Sequence, residues 1–577
     1  MKWHDLRSFE DGAVVETDLC IVGSGFAGLS IAKEFAETGI EVWIIESSGR
    51  AEDAEAQTLN EIESVGAPRV MQQDLMRYRI FGGTSHIWSG QCAPFDEIDF
   101  AFRPWVPYSG WMFSRQELDP YLERAGENLG LGPHCYTEAL WKRLGTDRPT
   151  PTVDPRYLES AFWQASKSHH NAKLPARLGR NFLSDAPNLN ILLHANVTHL
   201  DTNATGKKLE AIEVTTLEGK RAWVKAKATV LCCGGIENAR LLLASNRILP
   251  NGVGNSHDTV GRFLMDHPGC AIGHFDPRRS AKVQDRFGQY WLDDERGRHV
   301  YKHGLKLSPH VQAEEGLLNC AASLDEYPAA DDPWTVMRHL RTRLQNRHAP
   351  EDVVARAMFW RDSGEEIKEK SLYQDGLAVV SQSHRIVHGL YRRFVKHRPP
   401  ILKSRKIHLY CLVEQSPDPN SRVTLAVQKD RLGMPLSRID WRIGAQEKQT
   451  VRRMGQLVKQ ELRRLRLPEL ILEDWLIDGA DYPFTDRAHP MGTTRMASNP
   501  REGVVDLQCR VHGMEGLYIA GSSVFPTAGH ANPTLMVTAM AIRLADWLKV
   551  SEFRATQPQH ISTGSDGGND RMNVLNR

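Results

Sequence analysis

Three glycines near the N-terminus have the spacing of a phosphate-binding turn. Gly23, Gly25 and Gly28 follow the apolar run 19–22 and precede apolar residues at helical spacing. In this pattern the first glycine makes a tight turn, the second lets the backbone approach a pyrophosphate, and the third lets helix and strand pack closely. A second apolar strand ends at Glu46, where an acid can bind ribose hydroxyls. The pattern predicts a βαβ dinucleotide site, for NAD or FAD rather than NADP.

Composition excludes several other classes of protein. The 577 residues are 41% hydrophobic, enough for two to four domains, and a net charge of +1 gives no indication of a nucleic-acid partner. The nine cysteines are scattered without C-x-x-C spacing, so we expect neither a disulfide framework nor a metal site. No signal core or membrane-length apolar stretch occurs. We therefore expect a cytoplasmic protein without an integral membrane segment.

Alternation of strands and helices is interrupted in the middle of the chain. The chain begins with an irregular arm at 1–12, which is followed by the βαβ unit. It later returns to the same parallel sheet through a strand, the double glycine Gly234-Gly235 and a helix. Another strand ends near Gly521, and we predict Asn532 as the N-cap of the last helix with Pro533 at its first position. Further strand patterns occur at 192–207, 209–217, 222–231, 406–414, 422–427 and 437–443.

The region 330–400 contains helical, strongly basic pieces, including Arg392, Arg393 and Lys396. Such a run is usually a solvated helix face, and docking on a membrane or an acidic partner is the alternative. Residues 444–466 form a basic amphipathic pattern typical of a helix.

Five motifs, listed below in chain order, give the sequence a resemblance to the glucose-methanol-choline (GMC) oxidoreductases, which are FAD-dependent alcohol oxidases and dehydrogenases. The resemblance extends to about residue 548 and is nearest to the branch of pyranose oxidase and sugar dehydrogenases, through the Asn-Pro-Thr-Leu ending. The motifs are the glycine triplet with Glu46, the Gly82-Gly83-Thr84-Ser85 loop with Trp88, the Gly234-Gly235-Ile236-Glu237-Asn238 turn, the His489-Pro-Met-Gly block and the segment from Gly521-Ser522 to Asn532-Pro-Thr.

The resemblance implies an α/β fold. Its Rossmann-like FAD-binding domain is assembled from discontinuous segments, and an α+β substrate domain carries a mixed sheet. The expected boundaries are 13–100, 186–268 and 486–550 for the FAD domain, 101–185 for a connecting region, 269–485 for the substrate domain with a helical insertion, and 551–577 for a disordered tail.

The family's FAD contacts can be carried over motif by motif. Pyranose oxidase-like members tether the flavin through a histidine directly before the tryptophan of the glycine loop. Here Ile87 has that place and the histidine is His86, so we expect non-covalent FAD, with a His86 tether as the alternative. The implied FAD-binding residues are Gly23, Gly25, Phe26, Ala27, Gly28, Glu46, Arg79, Gly82, Gly83, Ser85, Trp88, Ser89, Gly90, Val197, Gly234, Gly521, Ser522, Asn532 and Thr534.

The resemblance also implies the catalytic pair. Oxidation of an alcohol needs a hydride acceptor, which is flavin N5, and a base for the hydroxyl proton. The family's base falls on His489 and its partner on Asn532. His530 is a second candidate for lining the cavity, although a loop histidine bonded to backbone is its simpler interpretation. His86, His267 and His512 have no comparable support.

The expected reaction is oxidation of a CH–OH group of a sugar, aminosugar, cyclitol or related polyol. A sterol or other lipid alcohol is an alternative substrate, and a non-catalytic flavoprotein or docking module is an alternative function. The sequence leaves open whether electrons pass to oxygen, a quinone or a redox protein.

Overall fold

The computed structural model describes residues 1–69, 77–167, 177–178, 182–183, 185–344, 379–479 and 482–553. Residues 345–378 of the basic region at 330–400 and most of the predicted disordered tail therefore lie outside the described residues.

The first sheet is the predicted Rossmann-like sheet. Its apolar strands, such as the four buried residues of Val42–Ile45, lie between helices, so the α/β prediction is confirmed. Residues 1–12 are not wholly irregular as predicted, because Lys2–Asp5 pairs in parallel with Leu189–Leu193. In order the strands are Lys2–Asp5, Leu189–Leu193, Val42–Ile45, Ala13–Val22, Arg221–Leu231, Leu209–Thr215 and Asn196–Thr202, and Leu517–Ile519 also pairs with Arg221–Leu231.

Parallel pairing brings distant segments of the chain together in this sheet. Ala13–Val22 pairs in parallel with Val42–Ile45 on one side and with Arg221–Leu231 on the other. Leu517–Ile519 joins in parallel from the C-terminal part of the chain. The helix Phe26–Phe35 packs against the C-terminal helix Thr534–Ser551. The two ends of the chain therefore build one unit.

The second sheet is antiparallel, whereas the sequence predicted a mixed sheet. Parallel pairs need crossover connections, and this part of the chain instead uses short ones such as the turn between Gln289–Asp294 and Gly297–Leu307. Leu158–Ala165 and Gln91–Cys92 also join this sheet, although both precede the predicted substrate domain. In order its strands are Ile471–Leu472, Gly269–His274, Ser404–Val413, Cys320–Pro328, Gly297–Leu307, Leu158–Ala165 and Gln91–Cys92.

A third, small sheet contains Arg422–Lys429, Pro435–Asp440 and Ile62–Ser64. The predicted amphipathic helix is Ala445–Arg464, which buries Met454, Leu457 and Val458 in the hydrophobic core beside the second sheet. The other α-helices are Ala54–Thr58, Glu97–Phe100, Asp119–Asn128, Leu140–Arg143, Gly234–Ala244, Ala281–Arg286, Pro309–Glu315, Pro333–Leu344, Ser383–Phe394 and Asp474–Asp478. Short 3₁₀ helices are Leu6–Ser8, Gly83–His86, Arg115–Leu118 and Ser522–Val524. Each helix in the described part of the chain is too short or too polar to span a bilayer.

Candidate active site

The glycine triplet forms a tight turn with open space above it. Gly23 has φ +100° and donates its N–H to the Ile45 carbonyl at 2.8 Å. A Cβ on Gly28 would lie 1.9 Å from the Gly23 carbonyl oxygen, so only glycine lets the helix approach the strand. A Cβ on Gly25 would meet no atom within 4 Å. The exposed side of Gly25, at the N-terminus of the helix that begins with Phe26 and Ala27, is therefore free for a pyrophosphate.

Glu46 lies buried at the end of the neighbouring strand. Its carboxylate accepts hydrogen bonds from the Ser24 hydroxyl and from the Ser48 N–H, the latter at 3.2 Å. Burial raises the pKa of this carboxyl, and the hydrogen bonds oppose that effect. The Glu46 carbonyl accepts the Ala195 N–H at 2.9 Å, and Val197, two residues later, pairs with Val214 in the same sheet, so its contact with FAD stays a prediction.

The second glycine loop lies directly on the first turn. Gly82 has φ +100° and donates its N–H to the Ser24 hydroxyl at 3.0 Å. A Cβ on Gly83 would be 3.0 Å from the Gly25 Cα. The Ser85 hydroxyl closes the loop by donating to the Gly82 carbonyl at 2.7 Å. The structure thus brings together two glycine segments that are more than fifty residues apart in the sequence.

The aromatic end of this loop packs on the first helix. The Trp88 ring lies edge-on to Phe26, with 4.8 Å between ring centroids. Gly90 has φ +76°, and Ser89 between them is exposed. Trp88 therefore lies near the glycine turn, as the sequence predicted for a wall of the cofactor site, and its contact with FAD stays a prediction.

Arg79 takes part in an ion-pair network on the helix Gly234–Ala244. Its guanidinium donates to Glu237 at 3.1 Å and to the Asn60 side chain at 2.9 Å. Arg77 and Arg240 pair with the same Glu237 carboxylate. Coulombic attraction from the three arginines overcomes burial and lowers the pKa of Glu237 to about 2. Arg79 is thus already paired within the protein.

The free space around three glycines indicates whether the site fits FAD. Gly25, Gly234 and Gly521 start a helix or end a strand, and a Cβ on any of them would meet no atom within 4 Å. Gly234 and Gly521 also have φ +85° and +120°, which glycine adopts without strain. Backbone N–H groups at such open helix starts are suited to bind phosphates, so the residues present fit this cofactor.

The segment around Ser522 contacts the histidine block. The Ser522 hydroxyl donates to the Pro490 carbonyl at 2.7 Å. The last helix begins at Thr534, and Asn532 is not its N-cap as predicted. The Asn532 side chain instead lies beside His489, with Nδ2 at 3.5 Å from Nε2. A residue that precedes a proline is biased away from helical geometry, which leaves the Asn532 side chain outside the first turn.

A chain of three side chains fixes the protonation of His489. Nε2 of His267 faces the carbonyl oxygens of Ala528 and Gly529 at 3.2 and 3.0 Å, so this nitrogen carries a proton and donates. Nδ1 of the neutral His267 is then an acceptor, and it lies 2.9 Å from Nδ1 of His489. His489 must donate through Nδ1, which leaves the lone pair of its Nε2 facing Asn532. Nε2 is thus the available base.

Burial keeps both imidazoles neutral. Burial lowers the pKa of His489 to about 3, with a smaller contribution in the same direction from His267, while Asp266 opposes it. Burial likewise lowers the pKa of His267, which has no exposed surface. A neutral imidazole has one nitrogen that can accept a proton, as a general base requires.

Asp266 holds the backbone of the segment that carries His489. Its carboxylate accepts the N–H groups of Arg487 at 3.0 Å and of His489 at 3.1 Å, and it pairs with Arg69 at 2.7 Å. These attractions outweigh burial and lower the pKa of Asp266. Sequence reasoning missed Asp266, and it set His267 aside as a histidine without support. Their only signal was the turn-rich segment at 255–268, whose partner lies more than 200 residues away.

His530, two residues before Asn532, lies in a charged cluster. It is buried, with Nδ1 at 3.4 Å from the Asp96 carboxylate, and within the described ranges it has no hydrogen bond to backbone of the kind expected for a loop histidine. Asp99 is also near enough to share one cation with them. The ammonium group of Lys306 already pairs with Asp96 at 2.5 Å, so this cluster has its own cation.

Comparisons with known proteins also point to a protein that binds FAD. The profile of the FAD dependent oxidoreductase family matches residues 18–360, and that of GMC oxidoreductase matches residues 417–541. The chain is 26% identical to the fructose dehydrogenase large subunit of Gluconobacter japonicus, over 62% of this chain and 53% of that protein. The matched part thus spans about half of that relative.

A second relative aligns over nearly its whole length. The chain is 22% identical to the 2-methyl-1,2-propanediol dehydrogenase of Mycolicibacterium austroafricanum, over 92% of this chain and 95% of that protein. The crystal structure of a formate oxidase shares the fold, with a TM-score of 0.54 and 18% identity over 95% of this chain and 100% of the other. The chain therefore belongs to the FAD dependent oxidoreductase family, and its C-terminal part, residues 417–541, is similar to the GMC oxidoreductases.

Proposed function

We propose that this protein oxidises a CH–OH group of a sugar, aminosugar, cyclitol or related polyol. The observation that carries the proposal is the chain of hydrogen bonds from His267 to His489, which leaves His489 Nε2 unprotonated beside Asn532. The chemistry that FAD supplies when bound is acceptance of a hydride at flavin N5. The protein has to supply the base for the hydroxyl proton.

The space between His489 and Asn532 suits a hydroxyl group. Nε2 and Nδ2 are 3.5 Å apart, which is long for a direct hydrogen bond. A substrate oxygen beside both could donate its proton to His489 Nε2 and accept a hydrogen bond from Asn532 Nδ2. As the hydride leaves carbon, the O–H bond breaks, its proton stays on His489, and the substrate becomes a carbonyl compound. Asn532 Oδ1 has no hydrogen-bond partner among the described residues, and a second substrate hydroxyl could satisfy it.

Relatives support a small polyol as the substrate. Fructose and 2-methyl-1,2-propanediol, which appear in the names of the two relatives, both carry neighbouring hydroxyls. A neighbouring hydroxyl is what the unpaired oxygen of Asn532 would bind. These points favour a sugar or polyol over a sterol, which offers a single hydroxyl on an apolar body.

Several contacts support non-covalent FAD. Nε2 of His86 contacts the Phe81 carbonyl at 3.0 Å, and the imidazole lies against Gly82. Ile87, at the place of the family's tethering histidine, is buried. We therefore propose that no side chain of this loop is bonded to the flavin.

The nine free cysteines support a reducing compartment, the cytoplasm.

Anaerobic flavin reduction tests the proposed reaction. Purified, FAD-loaded protein is mixed with sugars, aminosugars, cyclitols, diols and a sterol, and bleaching of the flavin band is followed. We expect bleaching with at least one polyol and none with the sterol. Bleaching by the sterol alone would overturn the substrate class. Reoxidation by oxygen, a quinone or a redox protein then identifies the acceptor.

Two substitutions test the catalytic pair. His489→Ala should keep FAD and slow flavin reduction by about 10²–10⁴-fold, the contribution of a positioned base. Asn532→Ala should slow it less, by the roughly 1–3 kcal/mol of a lost buried hydrogen-bond partner. Asn532→Asp is the matched control, because its charge opposes the developing alkoxide at nearly the same size. Near-normal reduction by His489→Ala would refute the assignment and make His530 the next candidate.

A further inference from the structure

The helix Ser383–Phe394 presents apolar side chains to the solvent. Val387, Leu390, Tyr391 and Phe394 follow the spacing i, i+3, i+4, i+7 and therefore share one face. Their exposed fractions are 66%, 41%, 47% and 69%. Surface helices usually turn such a face inward, so this apolar stripe indicates an interaction site.

The inner face of the helix prevents the stripe from turning inward. Gly389 packs so closely on Trp334 that an added Cβ would be 2.3 Å from the indole ring. Arg392, only 7% exposed, pairs with Asp285 and donates from Nε to the Pro399 carbonyl at 2.9 Å. The predicted solvated basic face is thus partly wrong, because Arg392 faces the protein. The outward face is the apolar one.

The helix and the residues that flank it in the sequence carry charges of one sign. Residues 379–403 include no aspartate or glutamate. Arg392 and Arg398 both pair with Asp285, which compensates one of their two positive charges, and Arg393 and Lys396 are exposed at the end of the stripe. An apolar helix face with an aromatic residue and adjoining basic groups has the chemistry of a helix that lies in a membrane interface. Exposed lysine and arginine there attract anionic lipid head groups.

We propose that this helix docks the protein on an anionic lipid surface. Val387, Leu390 and Phe394 enter the boundary between head groups and acyl chains, Tyr391 lies at head-group level, and Arg393 and Lys396 contact lipid phosphates. Val380 and Val395, which lie just beyond the two ends of the helix, are exposed apolar side chains as well. The stripe forms a long ridge, which fits a flat, fluid surface. The positive charge of Arg393 and Lys396 requires that this surface be negatively charged.

Vesicle co-sedimentation of the full, FAD-loaded chain tests this surface. Vesicles of phosphatidylcholine with about 30 mol % phosphatidylglycerol are compared with pure phosphatidylcholine. We expect binding to the anionic vesicles, weakening as salt is added. The double variant Val387→Ser with Phe394→Ser should bind at least about tenfold more weakly, because it removes two of the largest exposed apolar groups. Arg393→Gln with Lys396→Gln should remove the preference for anionic lipid.

Val427→Ser is the matched control. Val427 is fully exposed but lies on the strand Arg422–Lys429, away from the stripe. It should bind vesicles as the unchanged protein does, and all variants should keep their flavin spectrum and turnover with a soluble dye. Failure of the unchanged protein to bind either vesicle would overturn the proposal. So would an equal loss of binding in Val427→Ser, or a stripe-dependent self-association in gel filtration without vesicle binding.

A fluorophore at the stripe gives a second readout. All nine native cysteines are buried or half-buried, so a thiol-reactive probe can be directed to Val387→Cys. The probe's emission should shift to the blue on anionic vesicles, as it enters an apolar environment. An unchanged spectrum in the presence of bound vesicles would mean that another surface makes the contact.

Discussion

Replacing His267 tests how the base is prepared. His267→Leu removes the acceptor at 2.9 Å from His489 Nδ1 but leaves the base itself in place. The Nδ1 proton then has no fixed partner, so the imidazole can rotate or carry its proton on Nε2, where it cannot act as a base. His267 is a positioning residue, because its side chain reaches the substrate only through His489.

The size of this effect follows from the lost hydrogen bond. Leaving a buried donor without its acceptor costs about 1–3 kcal/mol. Since about 1.4 kcal/mol is a factor of ten in rate, flavin reduction should slow by about 5–150-fold. Anaerobic stopped-flow absorbance of the flavin band measures this step separately from reoxidation. The flavin-to-protein ratio shows whether the variant still binds FAD.

The matched variant His267→Asn separates positioning from packing. Its amide oxygen can take the place of Nδ1 as an acceptor, although its shorter side chain loses the contact with the Ala528 and Gly529 carbonyls. We expect Asn to restore most of the rate that Leu loses, with similar thermal stability in both variants. A His267→Leu enzyme that reduces its flavin as fast as the unchanged one would refute the reasoning about the tautomer. Equal losses in Leu and Asn would reduce the role of His267 to packing.

The other predictions concern the cofactor and the stability of the fold. Gly25→Val should fold but lose FAD, because its side chain enters the open space above the turn, and full flavin occupancy in this variant would contradict the site. Gly28→Ala should unfold, since its Cβ would be 1.9 Å from a carbonyl oxygen. Flavin content and circular dichroism distinguish the two variants. Acid precipitation should release FAD into the supernatant, and a yellow pellet would instead point to a tether at His86. Burial lowers the pKa of His303, His489 and His530 to about 3, 3 and 4, so the unfolded chain, with histidine pKa near 6.5, binds more protons below that pH. The free energy of unfolding should therefore fall from pH 6.5 towards pH 4 by up to about 1.4 kcal/mol per pH unit for each histidine. Urea unfolding at pH 7 and pH 5 measures this decrease. Equal stability at the two pH values would contradict the prediction.

Local patterns were sufficient to predict the dinucleotide turn. The conformation of Gly23 and the close packing of Gly28 follow from a strand, a turn and a helix that are neighbours in the sequence. The return of the strand before Gly234-Gly235 to the same parallel sheet was also predicted correctly, whereas the sequence did not specify its direct pairing with 13–22. The antiparallel second sheet was not predicted, since strand patterns alone do not reveal the direction of their partners.

Long-range contacts limited what the sequence could reveal about the site. The contact between His267 and His489 joins segments 222 residues apart, and nothing local distinguishes His267 from the other histidines. The helix Ser383–Phe394 illustrates the same limit for a surface. The sequence predicted a solvated basic face for this helix, and only the packing of Gly389 against Trp334 shows that its apolar face points outward.

Two consecutive residues act on opposite ends of His489. The Asp266 carboxylate holds the backbone N–H, and the His267 ring holds the side-chain N–H. Because they are neighbours, the segment that carries them fixes the position and the protonation of the base together. A base must keep its place within about 0.5 Å to act in the transition state, and one rigid segment meets that need better than two independent contacts. Asp266 is in turn held by Arg69, so neutralising Asp266 would leave a buried arginine with less of its compensating charge and disturb both contacts at once.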